Sequence, residues 1–208
     1  MSEQKRILLA TSNPHKLEEV EAILVPLGFK VLGLTDLGID IPEPVEDAET
    51  FSGNAKIKAV EYARAAGEQC LADDSGLVVD ALDGAPGVHS ARYAGSGADR
   101  PARDQANNAK LLQEIASVPP EQRTARFVCA MCLADPDGTV VAETRGTFEG
   151  LITTEHRGTN GFGYDPLLFI PDQQCTSAEL SPEMKNARSH RGEAVRRLVQ
   201  AMSAVRSD

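Results

Sequence analysis

The apolar run "RILLAT" (residues 6–11) is followed by Asn13-Pro14, by apolar residues at 17, 20, 24 and 27, and then by Gly28 and a second apolar run, "FKVLGL" (29–34). This spacing limits the possible folds more than any other feature. The first run has the length of a buried strand. Asparagine caps the first turn of a helix through its side-chain oxygen, and proline is favoured at the first helical position, where a missing N–H costs nothing. Leu17, Val20, Leu24 and Leu27 recur at helical spacing and predict the buried face of that helix, with Gly28 as its stop. Strand, helix and strand within residues 6–34 predict an α/β unit.

The rest of the chain continues in that style. Residues 36–49, "DLGIDIPEPVEDAE", form an acidic, proline-containing loop. A helix is predicted from Thr50, with Ala55, Ala59, Tyr62 and Ala66 on one face. "CLADDSGLVVDAL" (70–82) reads as a strand interrupted by a polar centre, followed by the Gly/Pro loop "DGAPGVHSARYAGSG" (83–97). "RDQANNAKLLQEIASV" (103–118) predicts a third helix, and 125–150 predict a β-hairpin turning at Asp137-Gly138. A glycine-rich segment precedes the strand "LLFIP" (167–171). Ser181-Pro182 opens a short helix, and Val195, Leu198, Val199, Met202 and Val205 line the last one. Crossovers mixed with a hairpin predict an α/β fold with a mixed sheet and flanking helices. The 208 residues, 41% of them hydrophobic, fit a single domain.

Charge narrows the function. A net charge of −10 repels nucleic-acid backbones, so no nucleic-acid partner is expected. No apolar run spans a membrane, and "MSEQKRILLATS" lacks the apolar centre of a signal peptide, so the expected location is cytoplasmic. Cys129 and Cys132 form a CxxC, but within the alternating "RFVCAMCLAD" they would point to opposite faces of a strand. They are expected to be structural, and with Cys70 and Cys175 they do not look like a secreted disulfide framework.

Four places break what packing alone would choose. The first is Lys16 in the first turn of the opening helix, where the helix dipole disfavours a cation. Backbone N–H groups at that helix start suit an anion, although Lys16 alone reads equally well as a solvated lysine. The second is Asp73-Asp74 inside an apolar strand pattern. Two adjacent carboxylates there need a cation, a metal or a proton; the competing reading is an Asp-Ser-Gly turn. The third is the acidic loop, with Asp40, Glu43, Glu46, Asp47 and Glu49. It matters if one carboxylate meets Asp73 or Asp74, since Mg²⁺ is held by hard oxygens and substrate phosphate. Asn54 and Lys58 follow on one helix face, and Lys58 could be a second phosphate ligand. The fourth is "GTNGFGYDP" with "KNARSHRG". Glycines around Phe162 and Tyr164 would let a flat ligand stack on a ring, and Arg191 beside His190 could donate to carbonyl oxygens. Lys16, Lys58, Lys185 and Arg191 with Glu46, Asp73, Asp74 and this slot match a magnesium-bound nucleoside triphosphate.

"TSNPHK", "TFSGNAKIKA", "ADDSGLVVDALDGAPGVHSARYAG", "GFGYDP" and "SHRG" together resemble, in order from about residue 7 to about residue 200, the motifs of the inosine triphosphate pyrophosphatase family. The resemblance implies an elongated mixed sheet with two lobes around a central cleft, usually as a homodimer. It implies hydrolysis of ITP, dITP and XTP to the monophosphate and pyrophosphate with Mg²⁺. Thr11, Ser12, Asn13, Pro14, His15 and Lys16 would hold the triphosphate. Glu46 and Asp74 would bind the metal, and Asp74 would act as base on the attacking water. Ser75 would touch substrate. Phe162, Gly163, Tyr164 and Asp165 would form the base pocket with His190 and Arg191. Lys185 would contact substrate, with Asp73 and Lys58 in support. Gly53 stands where bacterial members often carry a glutamate. The alternatives are a related nucleotide pyrophosphatase with a different base preference and a nucleotide sensor that does not cleave.

Overall fold

The computed structural model describes residues 5–39, 41–95 and 99–204. Asp40, Ser96, Gly97 and Val205, named above, lie outside the described residues. Seven strands form one mixed sheet in the order β2-β1-β3-β4-β5-β6-β7. They are β1 (Lys5–Leu9), β2 (Phe29–Gly33), β3 (Cys70–Val79), β4 (Thr124–Ala134), β5 (Val140–Ile152), β6 (Leu168–Ile170) and β7 (Cys175–Thr176). The helices are α1 (Pro14–Leu24), α2 (Phe51–Ala66), α3 (Arg100–Glu114), α4 (Pro182–Arg188) and α5 (His190–Ala204). β1 pairs in parallel with β2, Lys5 opposite Phe29, and with β3, Leu8 opposite Cys70. β6 runs antiparallel to both β5 and β7. The chain divides into two compact units, one of residues 1–74, 129–146 and 190–208, the other of 75–128 and 147–189.

In the first unit, the period-two alternation of the strands sorts the core onto two sheet faces. Ile7, Leu9, Leu71, Cys129, Met131 and Leu133 pack with Val20 and Leu24 of α1 and with Val195, Leu198 and Met202 of α5. Their neighbours Leu8, Ala10, Cys70, Ala72, Ala130, Cys132 and Ala134 pack with Ala55, Ala59, Tyr62 and Ala63 of α2. The α2 side is built largely from alanine, which lets helix and sheet approach closely. Cys129 and Cys132 fall in different clusters, as their spacing requires. The second unit has its own core, in which Leu77 and Val79 of β3, Phe127 of β4 and Phe148 of β5 meet Leu111 and Ile115.

Local signals act as expected at the start of α1 and α2. Asn13 caps α1 by accepting from the His15 N–H, and Thr50 caps α2 by accepting from the Gly53 N–H. Other expectations need correction. Leu27 is 55% exposed: α1 ends at Leu24, a 3-10 turn follows, and Gly28 closes it with φ +84°. The third helix starts at Arg100 and ends at Glu114, because Asp99 caps it through the Ala102 N–H. β3 is not interrupted at its polar centre; Asp73, Asp74 and Ser75 lie within one ten-residue strand, which removes the turn reading. The two-residue β7 carries no periodicity to read.

Candidate active site

The alternation that sorts the core also separates the two aspartates. Asp73 follows Leu71 on the α1/α5 face, and Asp74 follows Ala72 on the α2 face. Each therefore meets its own cations.

Asp73 Oδ2 lies 3.0 Å from Lys16 Nζ and 3.0 Å from Arg191 Nη2, and Arg191 Nε donates to the same oxygen at 3.3 Å. Arg191 Nη1 also donates to Glu19 at 2.5 Å. Burial alone would raise the Asp73 carboxyl, but Lys16 and Arg191 outweigh it and hold the group well below the usual carboxylate range. Lys16 thus answers to a fixed anion behind it while its amine keeps partial access to solvent. The same charges raise the Arg191 guanidinium above its ordinary value, against the effect of burial.

On the opposite face, Lys58 Nζ lies 3.0 Å from Glu46 and 3.5 Å from Asp74. Asn54, one turn before Lys58, donates to Asp74 Oδ2 at 3.1 Å and accepts from the Ala48 N–H at 3.0 Å. It therefore ties the acidic loop to β3. Burial would lower the Lys58 ammonium, yet Asp74, Asp73 and Glu46 together raise it. For Asp74 the balance falls the other way: burial raises its carboxyl, Glu46 adds repulsion, and Lys58, Lys16 and Asn54 only partly offset this. Lys58 feels the charge of two carboxylates in contact and of Asp73 beyond them, and gains more than any one of them does, so the two directions are compatible. A buried carboxylate with a raised pKa beside cations is a common setting for proton transfer. Gly53 fits its surroundings, since a Cβ there would meet the Ala48 methyl at 2.6 Å.

Thr11, Ser12 and Asn13 lie between β1 and α1, and Pro14 and His15 are the first two residues of α1. Thr11 accepts from the Asn13 N–H, while Ser12, Pro14 and His15 are exposed. Ser75 follows Asp74 on β3 and is half-buried. His190 is buried at the first position of α5.

The second unit carries the other predicted group. Asp165 is buried and accepts from Lys185 Nζ at 2.6 Å, from the Phe162 N–H at 2.8 Å and from Ser177 Oγ at 2.7 Å. Lys185 Nζ also stands 5.1 Å from the centre of the Phe162 ring. Gly161 must be glycine here: its φ is +77°, and a Cβ would collide with Asp165 Oδ2. Phe162 and Gly163 remain half-buried. Tyr164 is buried, and its hydroxyl donates to the Ser90 carbonyl at 2.9 Å. That geometry makes Tyr164 an anchor of the loop, whereas the Phe162 ring is half-buried beside Lys185.

Arg191, expected beside a base carbonyl, spends its guanidinium on Asp73 and Glu19. Glu19 and the bridging role of Asn54 went unassigned in the sequence. Glu19 lies three residues after Lys16 on the same helix, a spacing that could have flagged it.

The chain is similar to known proteins in sequence and in fold. The sequence profile of the Ham1 family matches residues 7–201. A dITP/XTP pyrophosphatase of Geobacter sulfurreducens is 52% identical over 190 residues, covering 91% of this chain and 92% of its own. A dITP/XTP pyrophosphatase of an Exiguobacterium strain is 51% identical over 193 residues, covering 93% and 94%. The solved structure of a HAM1 protein from Coxiella burnetii aligns with a TM-score of 0.84 at 39% identity, covering 96% of this chain and 99% of that one. With profile, relatives and fold agreeing along nearly its whole length, this chain is a member of the Ham1 family.

Proposed function

We propose that the protein is a nucleoside triphosphate pyrophosphatase that hydrolyses deaminated purine nucleotides, ITP, dITP and XTP, to the monophosphate and pyrophosphate. The names of its relatives supply the substrate class. The observation that carries the chemistry is the division of labour between Asp73 and Asp74. One is fully neutralised by Lys16 and Arg191, while the other keeps a raised pKa next to Lys58 and Glu46.

The donor set fits magnesium. Glu46 and Asp74 each bring a carboxylate oxygen to the same ammonium, at 3.0 and 3.5 Å, so both reach one cationic centre with hard oxygen ligands. Mg²⁺ bound by Glu46 and Asp74 would offset the charge of the phosphate oxygens. Asp74 accepts a proton from water as the water oxygen bonds to the α-phosphorus. The bond from that phosphorus to the bridging oxygen breaks, and its electron pair leaves with pyrophosphate. Lys16 and Lys58 stabilise the charge that develops on the leaving group. The segment of Thr11, Ser12, Asn13, Pro14 and His15 meets the phosphates at the N-terminal end of α1, where the helix dipole favours an anion. The Phe162 ring stacks on the purine, Gly163 lets it approach, and Ser75, Tyr164, Asp165, Lys185, His190 and Arg191 support the substrate directly or through these groups.

The protein acts in the cytoplasm as a homodimer, without nucleic-acid or membrane partners. Among the described residues, no helix is long and apolar enough to cross a membrane. The deciding assay is pyrophosphate release from ITP, XTP, dTTP and GTP with and without Mg²⁺. Turnover of ITP and XTP that disappears on chelation is expected. Preference for dTTP would favour the related pyrophosphatase, and binding without turnover would favour a sensor.

A further inference from the structure

Helix α3 carries a polar pair that nothing in the reaction above uses. Asp104 and Asn108 are one turn apart and share a face. Asp104 Oδ2 accepts from the Gly163 N–H at 2.9 Å, and Asn108 Nδ2 donates to the Gly163 carbonyl at 3.0 Å. One helix therefore holds the peptide groups on both sides of Gly163. That residue sits at φ +61°, and a glycine left unrestrained would leave this conformation at little cost. The carbonyl needs a donor, so it also sets the orientation of the Asn108 amide. The other half of that amide, Oδ1, is buried and accepts no hydrogen bond among the described residues. An unsatisfied buried acceptor costs stability, and Leu111 of the neighbouring core shows what packing alone would place on this helix. The amide is explained by what its Nδ2 holds.

We propose that Asp104 and Asn108 are positioning residues for base recognition. They lock the Gly163 peptides so that the Phe162 ring and the adjoining backbone meet the purine in one preset geometry, and selectivity among purines depends on that lock. This rests on the reading that the Phe162–Asp165 loop takes the base. A preset loop has less freedom to lose on binding, so its effect appears in KM and in discrimination more than in the chemical step.

The test compares Asp104→Ala, Asn108→Ala, Asp104→Asn and Phe162→Ala with the wild type, using kcat and KM for ITP, XTP and GTP and a thermal melt of each. In the two positional alanine variants, KM for ITP should rise about tenfold and the preference for ITP over GTP should fall about tenfold, with kcat within about threefold. Asp104→Asn keeps an acceptor facing the Gly163 N–H and should restore most of the preference. A merely structural role would lower the active fraction for all nucleotides alike and leave KM and preference unchanged. If an alanine variant does not fold, Asn108→Asp, of the same size but turning an acceptor toward the Gly163 carbonyl, should give the same loss of preference. Preference and KM within about twofold of wild type in folded variants would overturn the proposal, provided Phe162→Ala alters them. If Phe162→Ala also leaves them intact, the base-slot reading fails and the proposal fails with it.

Discussion

Replacing Arg191 with methionine tests whether the cluster around Asp73 holds the fold together. Arg191 is 1% exposed and makes ion pairs with Asp73 and Glu19. Methionine fills similar volume without charge, so lost packing contributes little. Breaking a buried ion pair from one side costs about 3–5 kcal/mol, because the other charge stays buried. Asp73 would still have Lys16 at 3.0 Å, and the Glu19 side chain is 13% exposed, which argues for the lower end of that range. A loss of about 3 kcal/mol corresponds to a fall in Tm of roughly 6–12 °C in a chain of this length. The pH dependence adds a sign. With its pKa depressed, Asp73 stabilises the native protein fully at neutral pH, and that contribution fades as pH falls through its folded-state value. Without Arg191 burial weighs more and the Asp73 pKa rises, so the variant takes up its proton before the wild type as pH falls. The gap between variant and wild type should therefore be smaller at about pH 4, near the ordinary carboxylate value, than at about pH 7. Urea unfolding at both pH values measures it, and Arg191→Lys, which keeps charge but not the planar fork, should fall between the two. A loss below about 1 kcal/mol, or a gap that does not change with pH, would refute the reasoning.

Asp74→Asn should do the opposite to stability. The raised pKa means that ionised Asp74 destabilises the fold at neutral pH; this cost is absent below the unfolded-state value and appears as pH rises through the folded-state one. The variant should melt above the wild type while kcat falls by about a hundredfold or more, as expected for loss of a general base. Retained turnover would reject Asp74 as base, and a lower melting temperature would reject the electrostatic account. Gly161→Ala should cost about 2 kcal/mol through its positive φ and its collision with Asp165, and should raise KM for nucleotide; a neutral effect in a thermal melt would show that the Asp165–Lys185 brace tolerates displacement.

Much of the fold could be read from local chemistry. Asn13-Pro14 and Thr50 set helix starts because a cap depends on residues within one turn. Alternation in β4 separated Cys129 from Cys132 for the same local reason. Helix ends were harder to read: Leu27 continues the periodicity of α1 but stays more than half exposed, and Asp99 moved the start of α3 ahead of its apolar residues.

Given an uninterrupted strand, which the structure supplied, the sequence by itself determined the division between Asp73 and Asp74, because neighbours on a strand face opposite ways. It also determined which segments carry charge against the apolar pattern. Only the tertiary structure decided who meets whom. Arg191 turned inward to Asp73 and Glu19, Asn54 bridged a loop to a strand, and α3 took hold of Gly163. Each joins residues far apart in the chain, and the direction of a long side chain is set by the charges and carbonyls that folding brings beside it, which no local periodicity encodes.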